Sequence, residues 1–184
     1  VESAPDDQNA AKLLSGLESD PATSALLESL FGTSPFLTHL VLRNPGFAHD
    51  CLMEEPDTLQ AALNGQVEQL AAVTSSADDL MSGLRIARGQ NALLTAIADL
   101  SGRWTISQVC QHLSDFADAA VRDAVDWMLL DAARISKIDL VDSANPATGS
   151  GYVVLAMGKH GAGELNYSSD TDLIVLYDAE TAPL

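Results

Sequence analysis

From Pro21 to Trp127 apolar residues recur three and four positions apart, the spacing that lines one side of a helix. Asp20-Pro21 has the form of an N-cap followed by a proline at the first helical position, and Gly32 is placed to stop the helix that carries Leu26, Leu27 and Leu30. Ser34-Pro35 repeats the start signal. Phe36, Leu37, Leu40 and Val41 then give one apolar face before Asn44-Pro45 breaks it, and Phe47, Cys51 and Leu52 suggest a further turn or two. Pro56 opens the next helix, whose stripe is Leu59, Leu63, Val67 and Leu70. A helix over 77–100 follows, with Leu80, Leu84, Ala87, Leu94 and Ile97 inward, Arg85 and Arg88 on its polar face and Ser101-Gly102 as its stop. Thr105 and Gln108 form a capping box ahead of the longest helical pattern, Val109, Leu113, Phe116, Ala120, Ala124 and Trp127.

The pattern changes after Asp142. The polar run 142–150 has no periodicity and contains Pro146 and Gly149. Beyond it come two short apolar runs, Tyr152 to Met157 and Leu173 to Tyr177, which read as strands joined by a glycine-rich turn. The expected fold class is therefore α+β: a mainly helical domain over 1–145, then the first strands of a sheet over 146–184. The opening Val1 to Gln8 reads as a polar, frayed end.

The 184 residues are 47% hydrophobic, enough for a good-sized core. Twenty-six acidic residues against nine basic give a net charge of −17, which argues against a nucleic-acid partner, since that needs clustered Lys and Arg. Cys51 and Cys110 lie far apart without CxxC spacing, so reduced thiols are expected rather than a disulfide framework or zinc site. No signal-peptide pattern opens the chain and no apolar run is long enough to span a bilayer, so the expected setting is cytoplasmic, without a membrane partner.

The candidate chemistry lies in the run from Gly151 to Asp178, where glycines and paired carboxylates meet the strands. A phosphate-binding P-loop fails because Gly158-Lys159 is followed by His160 rather than Ser or Thr. A dinucleotide fingerprint on Gly161 and Gly163 finds Asn166 where its third glycine belongs, and an EF-hand loop from Asp170 meets Ile174 where a ligand is needed. A nucleotidyltransferase site fits. Phosphoryl displacement builds charge on the attacking and leaving oxygens, and carboxylates at i and i+2 of a strand, Asp170 and Asp172, can hold the Mg²⁺ that neutralises it. A small residue at Gly158 lets backbone approach the phosphates. Asp-x-Asp alone is more often a pair of surface carboxylates. His39, His49, His112 and His160 show no ligand spacing, and Trp104 and Trp127 read as core anchors.

The run AMGKHGAGELNYSSDTDLIVLYD resembles the signature of the glutamine synthetase adenylyltransferase/deadenylylase family, a branch of the polymerase-beta-like nucleotidyltransferases. Met157-Gly158 and Asp170-Thr171-Asp172-Leu173 match the superfamily pattern, with Gly163-Glu164-Leu165-Asn166 and Ser168-Ser169 as the branch-specific filling. SPFLTHLVLRNPGF and LSDFADAAV are similar to the family's helical region. The resemblance implies an enzyme that moves AMP onto or off a tyrosine of glutamine synthetase, with Asp170 and Asp172 catalytic and metal-holding, and ATP or ADP as nucleotide. Gly158, Lys159 and Ser169 would then face the nucleotide, with Lys159 equally able to cap a carbonyl and Ser168 bracing the turn. It also implies glutamine synthetase as protein substrate and a PII-type regulatory protein as a further partner. The Asn166–Ser169 wording, and a start at Val1 with no domain ahead of it, incline to the N-terminal half, which removes AMP by phosphorolysis. No further acidic strand follows to give the superfamily's third carboxylate, so the chain is expected to be a fragment with little turnover by itself. Two alternatives stay open: a non-enzymatic helical interaction module with a vestigial motif, and a nucleotidyltransferase with a different acceptor.

Overall fold

The computed structural model describes Ala11 and residues 20–178; the expected frayed end at Val1 to Gln8 lies outside them. Seven helices are described first: α1 (Pro21–Thr33), α2 (Pro35–Arg43), α3 (Pro45–Met53), α4 (Pro56–Val67), α5 (Leu70–Val73), α6 (Ala77–Leu100) and α7 (Ile106–Arg134). Strand β1 (Tyr152–Ala156), the one-turn helix α8 (Gly158–Gly161) and strand β2 (Leu173–Tyr177) complete them. This is the α+β arrangement that the hydrophobic pattern predicts. Among the described residues no helix is long and apolar enough to cross a membrane.

The chain divides into two compact units, the first made of residues to Leu63 together with Ile86–Val109. Its opening helices are joined by single residues that serve two helix ends at once. The Ser34 amide closes α1 on the Leu30 carbonyl at 3.0 Å, while its hydroxyl accepts the Leu37 amide at 3.2 Å and so starts α2. Asn44 repeats the device between α2 and α3, with its amide on the Leu40 carbonyl and its Oδ1 accepting from Phe47. Proline follows each cap because the first helical amide needs no partner. Gly32 is not the stop that its position suggests: α1 runs through it to Thr33, and Ser34-Pro35 ends the helix.

The core of this unit gathers Leu27, Leu30, Val41, Ala48, Cys51 and Leu63 with the second half of α6. That half is buried nearly all round, from Leu93 to Ala98, so its burial exceeds the single inward face predicted. Arg103 turns its guanidinium on the carbonyls of Cys51 and Glu54, which the end of α3 leaves unpaired. Trp104 is buried and donates to Asp57 at 3.1 Å, an anchor as expected. Both cysteines are free, and burial pushes the Cys51 thiol up to about 12, which makes it inert.

The second unit comprises Asn64–Arg85 and the chain from Cys110 onward. Leu70, expected to extend the stripe of α4, instead begins the separate turn α5. Ala71, Leu80 and Trp127 pack together with Leu70 and Leu84 against them. Two ties from α7 hold this turn: Asp123 accepts the Ala71 amide at 2.9 Å, and the Trp127 indole donates to the Thr74 carbonyl at 3.3 Å. The capping box at the head of α7 forms as predicted, the Thr105 amide meeting Gln108 at 3.0 Å.

Strands β1 and β2 pair antiparallel with Tyr152 opposite Tyr177 and Ala156 opposite Leu173. Every residue of β2 is exposed, as are Val153 and Leu155 of β1. Leu173 to Tyr177 is thus an apolar strand whose side chains the described residues leave uncovered.

Candidate functional site

The antiparallel ladder continues one step past the strands at each end. The Asp178 amide donates to the Gly151 carbonyl, and the Met157 amide donates to the Asp172 carbonyl, both at 2.8 Å. The second of these bonds builds the site, because it sets Met157-Gly158 directly opposite Asp172. Gly158 has φ +56°, a left-handed conformation that favours glycine, and a Cβ there would lie 3.4 Å from Asp172 Oδ2. The sequence places Asp170 and Asp172 on a strand; in the structure both precede β2, with only the backbone of Asp172 joined to the ladder. Both carboxylates are exposed, as are Lys159 and Glu164.

Between glycine and aspartates the chain makes a tight, self-bonded loop. The amides of Gly161, Ala162 and Glu164 donate back to Met157, Gly158 and Lys159 at 3.0, 3.1 and 2.7 Å. Gly161 is packed so closely that a Cβ would strike the Ala156 carbonyl oxygen. Further on, Asn166 braces the turn into the aspartates. Its Oδ1 accepts the Ser168 amide at 3.0 Å and the Ser169 hydroxyl at 2.9 Å, while Ser169 Oγ accepts the Asn166 amide at 3.1 Å. Bracing is therefore done by Ser169, and its single hydroxyl hydrogen points at Asn166.

Two ties to α7 were not foreseen from the sequence. His160 is buried, with Nε2 2.9 Å from Asp118 Oδ1, and the Leu165 amide donates to Ser114 Oγ at 3.3 Å. Ser114 is in turn satisfied by the Cys110 carbonyl at 2.8 Å. A histidine between two glycines gives no spacing signal. Ser114 and Asp118 lie off the apolar stripe of α7, Ser114 buried and Asp118 exposed, so the stripe gives no signal for them either.

Chemically the donor set suits a hard divalent cation. Two exposed carboxylates supply oxygen ligands beside a glycine backbone that leaves space, and magnesium needs only one or two such ligands plus water and phosphate oxygens. Among the described residues no group of three or more His, Cys, Asp or Glu side chains converges. A wide groove of about 650 Å³ in the first unit, lined by residues including Asp20, Leu26, Leu52, Leu100 and Arg103, contains none of these residues.

A strand, a glycine turn and an acidic pair thus follow the helices in the order that the sequence motif predicts. Residues 24–183 match the family model described as glutamate-ammonia ligase adenylyltransferase. The chain is 43% identical over 164 residues to a bifunctional glutamine synthetase adenylyltransferase/adenylyl-removing enzyme of Xanthobacter autotrophicus, an alignment covering 89% of this chain and 16% of that protein. It is 41% identical over 180 residues to the protein so named in Rhizobium meliloti, covering 94% and 18%, and 37% identical over all 184 residues to one from Rhodopseudomonas palustris, again covering 18% of the relative. The chain belongs to the glutamate-ammonia ligase adenylyltransferase family. It spans less than a fifth of the length of these relatives.

Proposed function

We propose that the chain is part of an enzyme that removes AMP from, or adds AMP to, a tyrosine of glutamine synthetase by metal-dependent nucleotidyl transfer, with phosphorolytic removal as its own direction. The family match and the names of the relatives support the class of reaction. The observation that carries the site is the Met157–Asp172 backbone bond, which sets the Gly158 backbone against the Asp172 carboxylate. The preference for removal rests on the Asn166-Tyr167-Ser168-Ser169 wording of the turn.

In removal, an oxygen of inorganic phosphate bonds to the phosphorus of the tyrosyl-AMP linkage. The bond from that phosphorus to the phenolic oxygen breaks, and ADP and a free tyrosine result. Asp170 and Asp172 are the metal ligands. Magnesium bound there would supply charge neutralisation at the phosphoryl oxygens. Gly158 keeps side-chain bulk out of the space beside Asp172, and the exposed Lys159 ammonium offers its charge to the phosphate. Ser169 reaches a phosphate oxygen only by turning its hydroxyl hydrogen away from Asn166, so its first role is to shape the turn. Residues 146–184 are proposed as the beginning of the nucleotidyltransferase domain, in a cytoplasmic protein that also answers to a PII-type regulator.

The test is AMP release from adenylylated glutamine synthetase by the whole protein bearing Asp170→Asn and Asp172→Asn. A loss of roughly 100-fold or more is expected, because the hard oxygen ligands and their charge are both weakened. Undiminished release by a folded double variant would overturn the assignment.

A further inference from the structure

We infer that His160 is a positioning residue for the phosphate-facing turn, with Asp118 as its anchor; this rests on the nucleotidyl-transfer reading above. The His160 side chain is 1% exposed and meets Asp118 Oδ1 at 2.9 Å through Nε2. A carboxylate only accepts, so Nε2 carries the hydrogen and donates. The other ring nitrogen, Nδ1, is buried and has no hydrogen-bond partner among the described residues, so the ring's polar tie is the one to Asp118. A side chain chosen only to fill this slot would be apolar, with no polar atom stranded there.

The position of that tie gives it its consequence. Ser114 and Asp118 stand one turn apart on the same side of α7. Ser114 receives the Leu165 amide and Asp118 receives His160, so α7 grips the loop on both sides of Gly161-Ala162-Gly163. Gly158 and Lys159 are the two residues that directly precede His160. Their other neighbour, Met157, is fixed by its bond to the Asp172 carbonyl. With His160 released, α8 can rotate about the end of β1, which moves the Gly158 backbone and Lys159 while the aspartates stay ahead of β2, Asp172 tied by its carbonyl to Met157. The hydrogen bond of the His160 ring runs to Asp118 and not to the acidic pair. Its effect therefore falls on capture of the phosphate more than on the chemical step.

Steady-state kinetics of the whole protein in the AMP-removing direction test this, with inorganic phosphate as the varied substrate. His160→Leu is expected to raise KM for phosphate about tenfold with kcat changed less than twofold. His160→Gln, whose amide nitrogen can take the place of Nε2, should recover most of the loss. Asp118→Leu breaks the same bond from a side chain that is 58% exposed, so it reads the bond even if His160→Leu fails to fold, and it should reproduce the KM effect. An unchanged KM in Asp118→Leu, or a His160→Gln variant as impaired as His160→Leu, overturns the inference. Asp172→Asn measured in parallel separates the two levels. Lost turnover there beside normal KM in the His160 and Asp118 variants removes this inference alone, whereas full turnover in Asp172→Asn removes the site reading itself.

Discussion

The opening helices and the glycine–aspartate loop solve the same problem, pairing backbone groups at abrupt changes of direction, by opposite means. At Asp20, Ser34 and Asn44 the partner lies within four residues along the chain. In the loop the decisive partners come from far away in sequence: Met157 with Asp172, His160 with Asp118, and Leu165 with Ser114. A locally capped joint keeps its shape wherever its helix forms. The loop acquires its shape only when β2 and α7 are in place, so the candidate site exists only in the assembled second unit.

Three substitutions probe that contrast, in falling order of effect. Gly161→Ala drives a Cβ into the Ala156 carbonyl, which belongs to the sheet and cannot swing aside; a loss of about 3 kcal/mol is expected in urea unfolding of the 184-residue chain. Tolerance of alanine there would show that the loop is softer than its hydrogen bonds imply.

Asp123, another long-range tie, has a pH signature. Burial pushes its carboxyl above the ordinary value of 3.8, aided by Asp126 and Glu68 and opposed by the Ala71 amide. The folded chain thus holds this proton more tightly than the unfolded chain. The contribution of Asp123 to stability is fullest below pH 3.8 and falls as pH rises through the folded value. Asparagine does not titrate, so Asp123→Asn should gain stability relative to the parent as pH rises across that window. A stability difference that is flat from about pH 4 to 8 would contradict the buried charge.

The smallest change concerns a local joint. Ser136, just beyond α7, has φ +56°, the left-handed conformation that closes the helix, with the Lys137 amide reaching back to the Ala132 carbonyl at 2.9 Å. Ser136→Gly relieves that conformation and should add up to about 1 kcal/mol in the same unfolding assay. No gain would mean that the serine side chain offsets its backbone strain.

The same contrast explains which parts of the molecule could be read in advance. Asp20-Pro21, Ser34-Pro35 and the Thr105–Gln108 box are legible because a cap is a pattern within a few residues, and all three form, while Asn44-Pro45, read as a break, also caps the next helix. Both strands lie where branched apolar residues cluster. Gly32 misled because a glycine near a helix end is a statistical stop, whereas the adjoining Ser34-Pro35 is a stereochemical one. Gly158 and Asp172 could be suspected of partnership from the motif, but the backbone bond that joins them is set by strand register. His160 and Asp118 were beyond reach of the pattern, since nothing local marks a histidine as buried or names its partner on a helix so distant in sequence.

The central claim is that Asp170 and Asp172, opposed to Gly158, hold a divalent cation for a nucleotide. Calorimetric titration of the whole protein with ADP, with and without magnesium, tests it most directly when the Asp170→Asn/Asp172→Asn variant is run alongside. The account predicts saturable ADP binding that requires magnesium and disappears in the folded double variant. Equal affinity without magnesium, or in the variant, would contradict it.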